Sequence, residues 1–405
     1  MKKNMNNYYN TKTEIAYLFG VSEGTVRNWI KRTINKELNL DLADIDGDLK
    51  IIKNTHNDSL INKLIKNGRK YRQLDLKEER KVSSKLEKLL SYNQTLTLIN
   101  SIEVNKEVPL KFAYLGEGAD IWNKFYLSTK KGDVYSSNNS DVFLLDKQYP
   151  IIIEHFAPNQ KINVVDLGSG NGYPVTEILK KLKSENKLNS YVAIDISQKI
   201  LDITKKNIEK VNLGVPIHTF IADFESQSLQ DILYSIKHNE QDQNIPNLIL
   251  MLGSTLPNIE PQIQPLLNIK AGMTVEDYLI TSNAYDKPET RTSFPAFEFE
   301  DGKELILQIP KLLGLNNENC KTEKIYNQKK GLKEFNLVLQ KDLQITFPKL
   351  NKTIKLYIND RINVWKYRRD TFELINKKCK DAELVQHFTV RNPHMNQIMY
   401  MVGIV

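Results

Sequence analysis

One stretch constrains the fold of this chain more than any other: Lys161-Ile-Asn-Val-Val-Asp-Leu-Gly-Ser-Gly-Asn-Gly-Tyr-Pro174. Ile162, Val164 and Val165 read as a strand buried on both faces, with Asp166 at its carboxyl end. Gly168, Gly170 and Gly172 follow in a GxGxG spacing, with Ser169 between the first two, and a helix is expected from about Pro174 to Leu182. Glycines permit a tight turn and let a ligand approach the backbone closely. In open α/β sheets, ligands bind at this end of the strands. The stretch therefore predicts a doubly wound α/β domain with its site at the carboxyl edge of the sheet.

The following units repeat the pattern. Tyr191-Val-Ala-Ile-Asp195 is a second strand ending in an acid, at the distance of about 20–25 residues where a carboxylate accepts ribose hydroxyls. A helix over 198–211 leads to a third strand, Ile217-His-Thr-Phe-Ile-Ala222, which ends in Asp223-Phe224; His218 reads as a packed strand residue. The fourth strand, Asn247-Leu-Ile-Leu-Met-Leu252, runs into Gly253-Ser254-Thr255-Leu-Pro-Asn258. A dinucleotide site wants GxGxxG, and Tyr173 stands where its third glycine belongs. An acid at the strand end repels a diphosphate and suits a cation. The arrangement resembles the class I S-adenosylmethionine-dependent methyltransferases. That resemblance implies S-adenosyl-L-methionine as cofactor and a Rossmann-like seven-stranded sheet. It also implies Asp166 near the ligand's amino-acid end, Ile196 beside the adenine, and Asp223 or the Phe224 backbone at the adenine amino group. Gly253 and Ser254 fall on the loop facing the transferred methyl.

On the acceptor side, the (N/D/S)PP(Y/F) motif of nucleobase amino-methyltransferases is absent after the fourth strand, and neither cysteine sits in a Pro-Cys pair. The string Leu252-Gly-Ser-Thr-Leu-Pro-Asn-Ile-Glu-Pro261 instead resembles the histidine Nα-methyltransferase family of ergothioneine biosynthesis, whose segment reads FLGSTIGNLEP. The likeness runs at lower identity from about Tyr135 to the C-terminus. It implies that Asn258 orients the substrate amine, that Tyr135 contacts cofactor or substrate, and that Tyr285 of Ala284-Tyr285-Asp286 belongs to the acceptor site. The chain departs from the family after the glycines, where Tyr173-Pro174 replaces a Ser-(Asp/Glu)-Lys stretch. It departs again at the imidazole-gripping TExS pattern, because Asp360-Arg-Ile-Asn-Val-Trp-Lys-Tyr367 offers neither Glu nor Ser in register. Residues 286–358 are too long for a link between strands and read as an inserted acceptor lobe. Leu305-Ile-Leu-Gln-Ile309 and Glu334-Phe-Asn-Leu-Val-Leu339 are its strand-like runs. Trp365 and Tyr367 either line the pocket or pack core. A helix over 370–380 and two closing antiparallel strands, from Leu384 and from Gln397, complete the sheet.

At 405 residues the chain exceeds one core, so a smaller unit is expected beside the methyltransferase domain. Residues 1–100 hold 19 Lys and Arg against 12 Asp and Glu, which accounts for most of the net charge of +8 and places polyanion binding at the front. Thr11 to Thr33 splits at Gly20-Val21-Ser22 into two amphipathic helices with Ile15, Ala16, Phe19, Val21, Val26 and Ile30 inward, the grammar of a helix-turn-helix. Its second helix presents Thr25, Arg27, Asn28, Lys31 and Arg32. The segment resembles the opening helices of MerR-like regulators over about 25 residues. Arg69 belongs to a basic turn, 66–72, that reads as a wing or phosphate clamp. The expected organisation is an all-α helix-turn-helix domain over 1–72, a charged linking helix over 73–105, and the methyltransferase domain over 106–405. Leu86, Leu89 and Leu90 either dock the link or pair it with a second copy.

The expected partners are a small-molecule amine and, through the front module, DNA, with a homodimer expected by analogy to paired half-sites. A protein-contact role for that module stays open. No run spans a bilayer and the start lacks a signal-peptide core, so no membrane partner and a cytoplasmic location are expected. The two cysteines, Cys320 and Cys379, lack CxxC spacing or a nearby histidine cluster, and no metal site is expected. Three readings follow: an N-methyltransferase for an amino acid or related amine, a cofactor-sensing regulator without turnover, and a methyltransferase delivered to a nucleic acid or protein.

Overall fold

An amphipathic helix and a hairpin are the first complete elements among the described residues of the computed structural model. It describes residues 15, 23–34, 38–45, 48–52, 54, 56–63, 79–131, 137–237, 245–253, 255–292, 294, 300–328, 330–392 and 396–405. The chain divides into two units, Met1–Glu79 and Arg80–Val405. In the first unit, helix α1 (Glu23–Ile34) buries Val26, Trp29 and Ile30 against Ile15, Leu40, Ile51 and Ile61. Arg27, Asn28 and Lys31 are exposed on the opposite face, with Thr25 and Arg32 half-buried. Strands β1 (Leu42–Ile45) and β2 (Asp48–Ile51) pair antiparallel, and helix α2 covers residues 56–63. The unit is therefore not all-α. Asp46-Gly47, between two short alternating runs, is the dipeptide that favours a two-residue hairpin. Of the first helix of the expected helix-turn-helix, only Ile15 is described. The basic turn 66–72, with Arg69, lies outside the described residues.

The expected linking helix is something else. After β3 (Glu79–Lys81), α3 (Ser84–Leu89) is capped by Ser83. Next, α4 (Tyr92–Asn100) opens with a reciprocal Ser91–Gln94 capping box, followed by a π-turn over Ser101–Asn105. Val82, Leu86, Leu90, Leu98, Ile99 and Ile102 are buried in one core with the acceptor lobe, so this segment docks and is part of the second unit. A 3₁₀ turn, Leu110–Tyr114, and helices α5 (Glu117–Lys131) and α6 (Ser137–Glu154) then lead to the sheet.

The sheet is dictated by strands with no exposed face. β4 (Ile162–Leu167) and β7 (Asn247–Met251) are buried at every position, as is nearly all of β5 (Leu188–Asp195) and β8 (Tyr278–Ala284). β6 (Ile217–Ile221) is half-exposed at the edge. Helices α7 (Thr176–Ser184), α8 (Gln198–Glu209), α9 (Gln230–Lys237) and α10 (Ile263–Lys270) connect the parallel strands. The chain builds β4, β5 and β6 outward, then returns to place β7 and β8 on the other side of β4. That reversal is the topological switch at which such sheets bind ligands.

Between β8 and the closing strands lies the lobe. Helix α11 (Glu300–Leu312) replaces the strand expected at Leu305–Ile309: Leu305, Ile306 and Ile309 are buried at helical, not alternating, spacing. β9 (Cys320–Asn327), β10 (Leu332–Leu339) and β13 (Arg361–Arg368) form one antiparallel sheet, so the lobe extends to residue 368, beyond the expected 358. β11 (Leu343–Phe347) and β12 (Lys352–Leu356) join β3 in a second. Helix α12 (Phe372–Asp381), capped by Thr371, precedes β14 (Val385–Asn392) and β15 (Gln397–Gly403), which close the seven-stranded sheet antiparallel, in the order β14-β15-β8-β7-β4-β5-β6. Among the described residues, no helix is long and apolar enough to cross a membrane, and no group of three or more His, Cys, Asp or Glu is placed to hold a metal. Both cysteines are buried free thiols.

Candidate active site

A cavity of about 840 Å³ opens at the carboxyl ends of β4, β5, β7 and β8 and extends under the lobe. At one end stand Asp166, Gly168, Ser169, Gly170, Asp195, Ile196, Asp223 and Phe224, which the sequence placed on three successive loops. Asp166 and Asp195 are 3% and 6% exposed. Asp166 accepts from the Tyr191 hydroxyl at 2.8 Å, and Asp195 accepts from the Ser197 backbone N–H at 3.0 Å. Burial pushes both carboxyls up to about 7, Asp166 further raised by Asp195. Two buried acids that no Lys or Arg among the described residues pairs with suit a cationic ligand.

The glycine loop is a fitted cradle. Gly168 and Gly170 have φ of +66° and +56°, and a side chain on Gly170 would meet the Trp122 ring at 2.4 Å. Trp122 comes from α5, which lies over the loop, and Asn123 accepts from the Asn171 amide at 3.1 Å. Below, the Thr204 hydroxyl of α8 donates to the Gly170 carbonyl at 2.6 Å. Gly172 does not line the cavity. Its φ is +73°, and its missing side chain makes room for Ile208 and Thr204, so it serves helix packing instead.

Lys111, from the 3₁₀ turn, reaches Asp223 at 2.7 Å and Glu225 at 3.3 Å, and these acids raise the pKa of its amine against the opposing effect of burial. Tyr114 lines the same end, its phenol pushed well up by burial and by Asp195. Together these groups fit the cofactor implied by the sequence. Acids would hold its ammonium and ribose, and small backbone would lie beneath it.

The other end is built by the loop after β7. Gly253, Thr255 and Asn258 line it, Asn258 on the 3₁₀ turn Leu256–Asn258. Gly253 N–H donates at 2.8 Å to Asp141, a fully buried acid of α6 that also accepts from Gln397 at 3.1 Å. Burial raises Asp141 to about 6. Asp141 thus fixes the start of the loop that carries Asn258. Trp365 and Tyr367, on β13, line this end with their rings nearly parallel, centroids 5.6 Å apart. Trp365 also belongs to the lobe core. Tyr285 is not among the lining residues, because its ring is covered by Phe372 and by the Arg391 guanidinium 4.0 Å from its centroid. Arg369 lines the cavity instead. Tyr135 and Ser254 lie outside the described residues.

Sequence reasoning missed Lys111, Tyr114, Trp122, Asp141 and Arg369. Nothing in their local pattern marks them, since each reaches the site from an element whose docking is tertiary.

The strand order, the switch at β4 and β7, and the acid-and-glycine cradle together define a class I methyltransferase. The profile of the family described as "Histidine-specific methyltransferase, SAM-dependent" matches residues 93–402, and the chain belongs to that family of S-adenosylmethionine-dependent enzymes. Among curated proteins, it is 29% identical over 153 residues to a 4-dimethylallyltryptophan N-methyltransferase of Claviceps fusiformis, covering 38% of this chain and 40% of that one. It is 27% identical to the enzyme of that name from Epichloe festucae var. lolii, over 38% and 42%. The chain thus matches about 40% of the length of these relatives. Among solved structures it is similar to the CurJ carbon methyltransferase, with 13% identity, TM-score 0.40, and 98% and 85% of the two chains covered. It is also similar to an S-adenosylmethionine-dependent methyltransferase of Clostridium acetobutylicum ATCC 824, with 13% identity, TM-score 0.34, and 71% and 97% covered.

Proposed function

We propose that the chain transfers the methyl of S-adenosylmethionine to the amine of an amino acid or related small amine carrying a large aromatic side chain. The observation that carries this reading is a single cavity with the acidic cradle at one end and Asn258, Trp365 and Tyr367 at the other. The bound cofactor supplies an electrophilic methyl. The chain's own residues then have to bind, orient and exclude water, because positioning provides most of the catalysis of an in-line displacement. The α-amine of a peptide terminus has a pKa near 7.7–8, and that of a free amino acid, beside its own carboxylate, is higher, so the site has to favour the neutral amine before transfer. Asn258 holds the amine by a hydrogen bond, and Asp141 keeps the Asn258 loop in place. Tyr135 remains a proposed second contact.

The aromatic wall argues against histidine as the preferred acceptor. The family's imidazole-gripping TExS pattern is absent from this chain, and Trp365 and Tyr367 on the cavity wall present π surface to an indole-sized ring. The relatives named for a prenylated tryptophan support the same direction. The test is S-adenosylhomocysteine release from the full chain offered tryptophan and its ring-substituted derivatives, tyrosine, phenylalanine and histidine. Turnover is expected to favour the indole acceptors, and Asn258→Ala is expected to lower kcat/KM about tenfold or more. Preference for histidine would overturn the substrate assignment, and an unchanged Asn258→Ala rate would overturn the role of Asn258.

A second reading concerns the first unit. The exposed Arg27, Asn28 and Lys31 on one face of α1, with a β-hairpin following, support a nucleic-acid contact. That contact would either regulate a locus or bring the enzyme to it. Cofactor binding without turnover on any acceptor would favour a cofactor-sensing regulator, and turnover on nucleic acid or protein would favour a delivered methyltransferase.

A further inference from the structure

An amino-acid acceptor has a second charged end, and the cavity contains a group placed for it. Arg369 follows directly on β13. Asp370 N–H donates to the Ala284 carbonyl at 2.9 Å and Asp286 N–H to the Asp370 carbonyl at 2.8 Å, which locks this point of the chain to the end of β8. β8 is the neighbour of β7, the strand whose following loop carries Asn258. The preceding residue, Arg368, pairs with Glu260 just beyond that loop at 2.9 Å. Arg369 is therefore held beside the methyl-transfer end, where it lines the cavity.

Its Nη1 donates to the Tyr285 carbonyl at 3.2 Å, while its Nε is buried with no hydrogen-bond partner among the described residues. The acids nearest to it in the chain and across the loop have other partners. Glu260 is held by Arg368, Asp370 by Lys378 at 2.6 Å, and Asp286 by Arg291 at 2.6 Å. No carboxylate among the described residues is paired with Arg369, and a partly buried cation at the cavity wall without a counter-charge favours an anionic ligand. A carboxylate matches both the charge and the fork of the guanidinium.

The geometry points to Arg369 as the carboxylate anchor of the acceptor subsite, selecting α-amino acids over their decarboxylated amines. This rests on the reading of the site as an amine methyltransferase, and it adds the chemistry that recognises the rest of the acceptor. In an α-amino acid the amine and the carboxylate share one carbon, so a carboxylate held at Arg369 delivers the amine toward Asn258.

The experiment compares tryptophan with tryptamine and histidine with histamine in the full-length wild type, Arg369→Gln and Arg369→Lys, by kcat/KM and by the thermal shift of S-adenosylhomocysteine-saturated protein. The wild type is expected to prefer each acid over its amine by about 10- to 100-fold. Arg369→Gln should erase that preference by lowering only the amino-acid rate, with Arg369→Lys intermediate. Equal losses on acid and amine, or an undiminished preference in Arg369→Gln, would overturn the anchor. If nothing turned over, the amine-transfer reading would fail, and the shift would decide the anchor by itself. Stabilisation by the amino acids that disappears in Arg369→Gln supports it. Stabilisation that persists in the variant, or is absent from the wild type, overturns it.

Discussion

Asp166 and Asp195 are acids whose burial pushes them to about 7, and their protonation sets two opposite pH trends. A cationic ligand favours the carboxylates, so protons leave when it binds. Cofactor affinity is expected to weaken about 10- to 100-fold from pH 8 to pH 6, a window that brackets both pKa values. Titration calorimetry across that range checks this, and Asp166→Asn should flatten the profile while lowering affinity at pH 8. Stability of the protein without added cofactor runs the other way. A carboxyl raised above its unfolded value of about 3.9 contributes stability that is fully present below that pH and is lost as pH rises through about 7. Melting temperature should therefore gain from these two groups on going from pH 8 to pH 5, against the usual acid trend, and Asp195→Asn should remove part of the gain.

Both acids were legible in the sequence because each ends an apolar run before a loop. Tyr191, whose hydroxyl donates to Asp166, was legible only as a strand residue, since its partner sits on the neighbouring strand.

Helix α5 is the element that turns the cradle into an enclosed site. Trp122 sits where any side chain on Gly170 would collide with it, and α5 is also tied to its surroundings by the Lys199–Asp120 and Lys124–Asp301 ion pairs. Trp122→Ala removes apolar contact over the glycine loop and is expected to weaken cofactor binding about tenfold, measured by calorimetry, with a smaller effect on kcat. Gly172→Ala tests the packing role of the third glycine. Its positive φ and the crowding by Ile208 are expected to cost about 1–3 kcal/mol of stability by denaturant unfolding, with little change in cofactor affinity once folded. A selective loss of cofactor affinity in that variant would return Gly172 to the binding site.

At the element scale the parallel strands and their helices lie close to the expected spans, as with α8 over Gln198–Glu209. The lobe helix α11 was misjudged because a short apolar run does not distinguish a strand from a buried helix, and only packing against α5 and the 3₁₀ turn resolves it.

For the whole molecule, the charge of the first unit yields a prediction independent of catalysis. If α1 contacts nucleic acid, duplex affinity should fall steeply between 50 and 200 mM salt, and Arg27→Ala with Lys31→Ala should reduce the slope by about two. Fluorescence anisotropy measures both. An affinity indifferent to salt, or unaffected by the pair of substitutions, would leave α1 with a protein-contact role.

The sequence by itself determined the order of the parallel strands' acids and glycines, the cofactor class and the loop carrying Asn258. Burial on both faces of a strand and the need for small residues in a tight turn are local demands that residues must meet one position at a time. Tertiary structure alone decided what covers and completes the site. It drew residues 82–115 into the lobe core, seated Trp122 on Gly170, carried Lys111 to Asp223, turned Tyr285 under Arg391, and exposed Arg369 to the cavity. Each of these contacts joins positions far apart in the chain, and their free energy comes from burial and charge pairing between elements, which local periodicity does not encode.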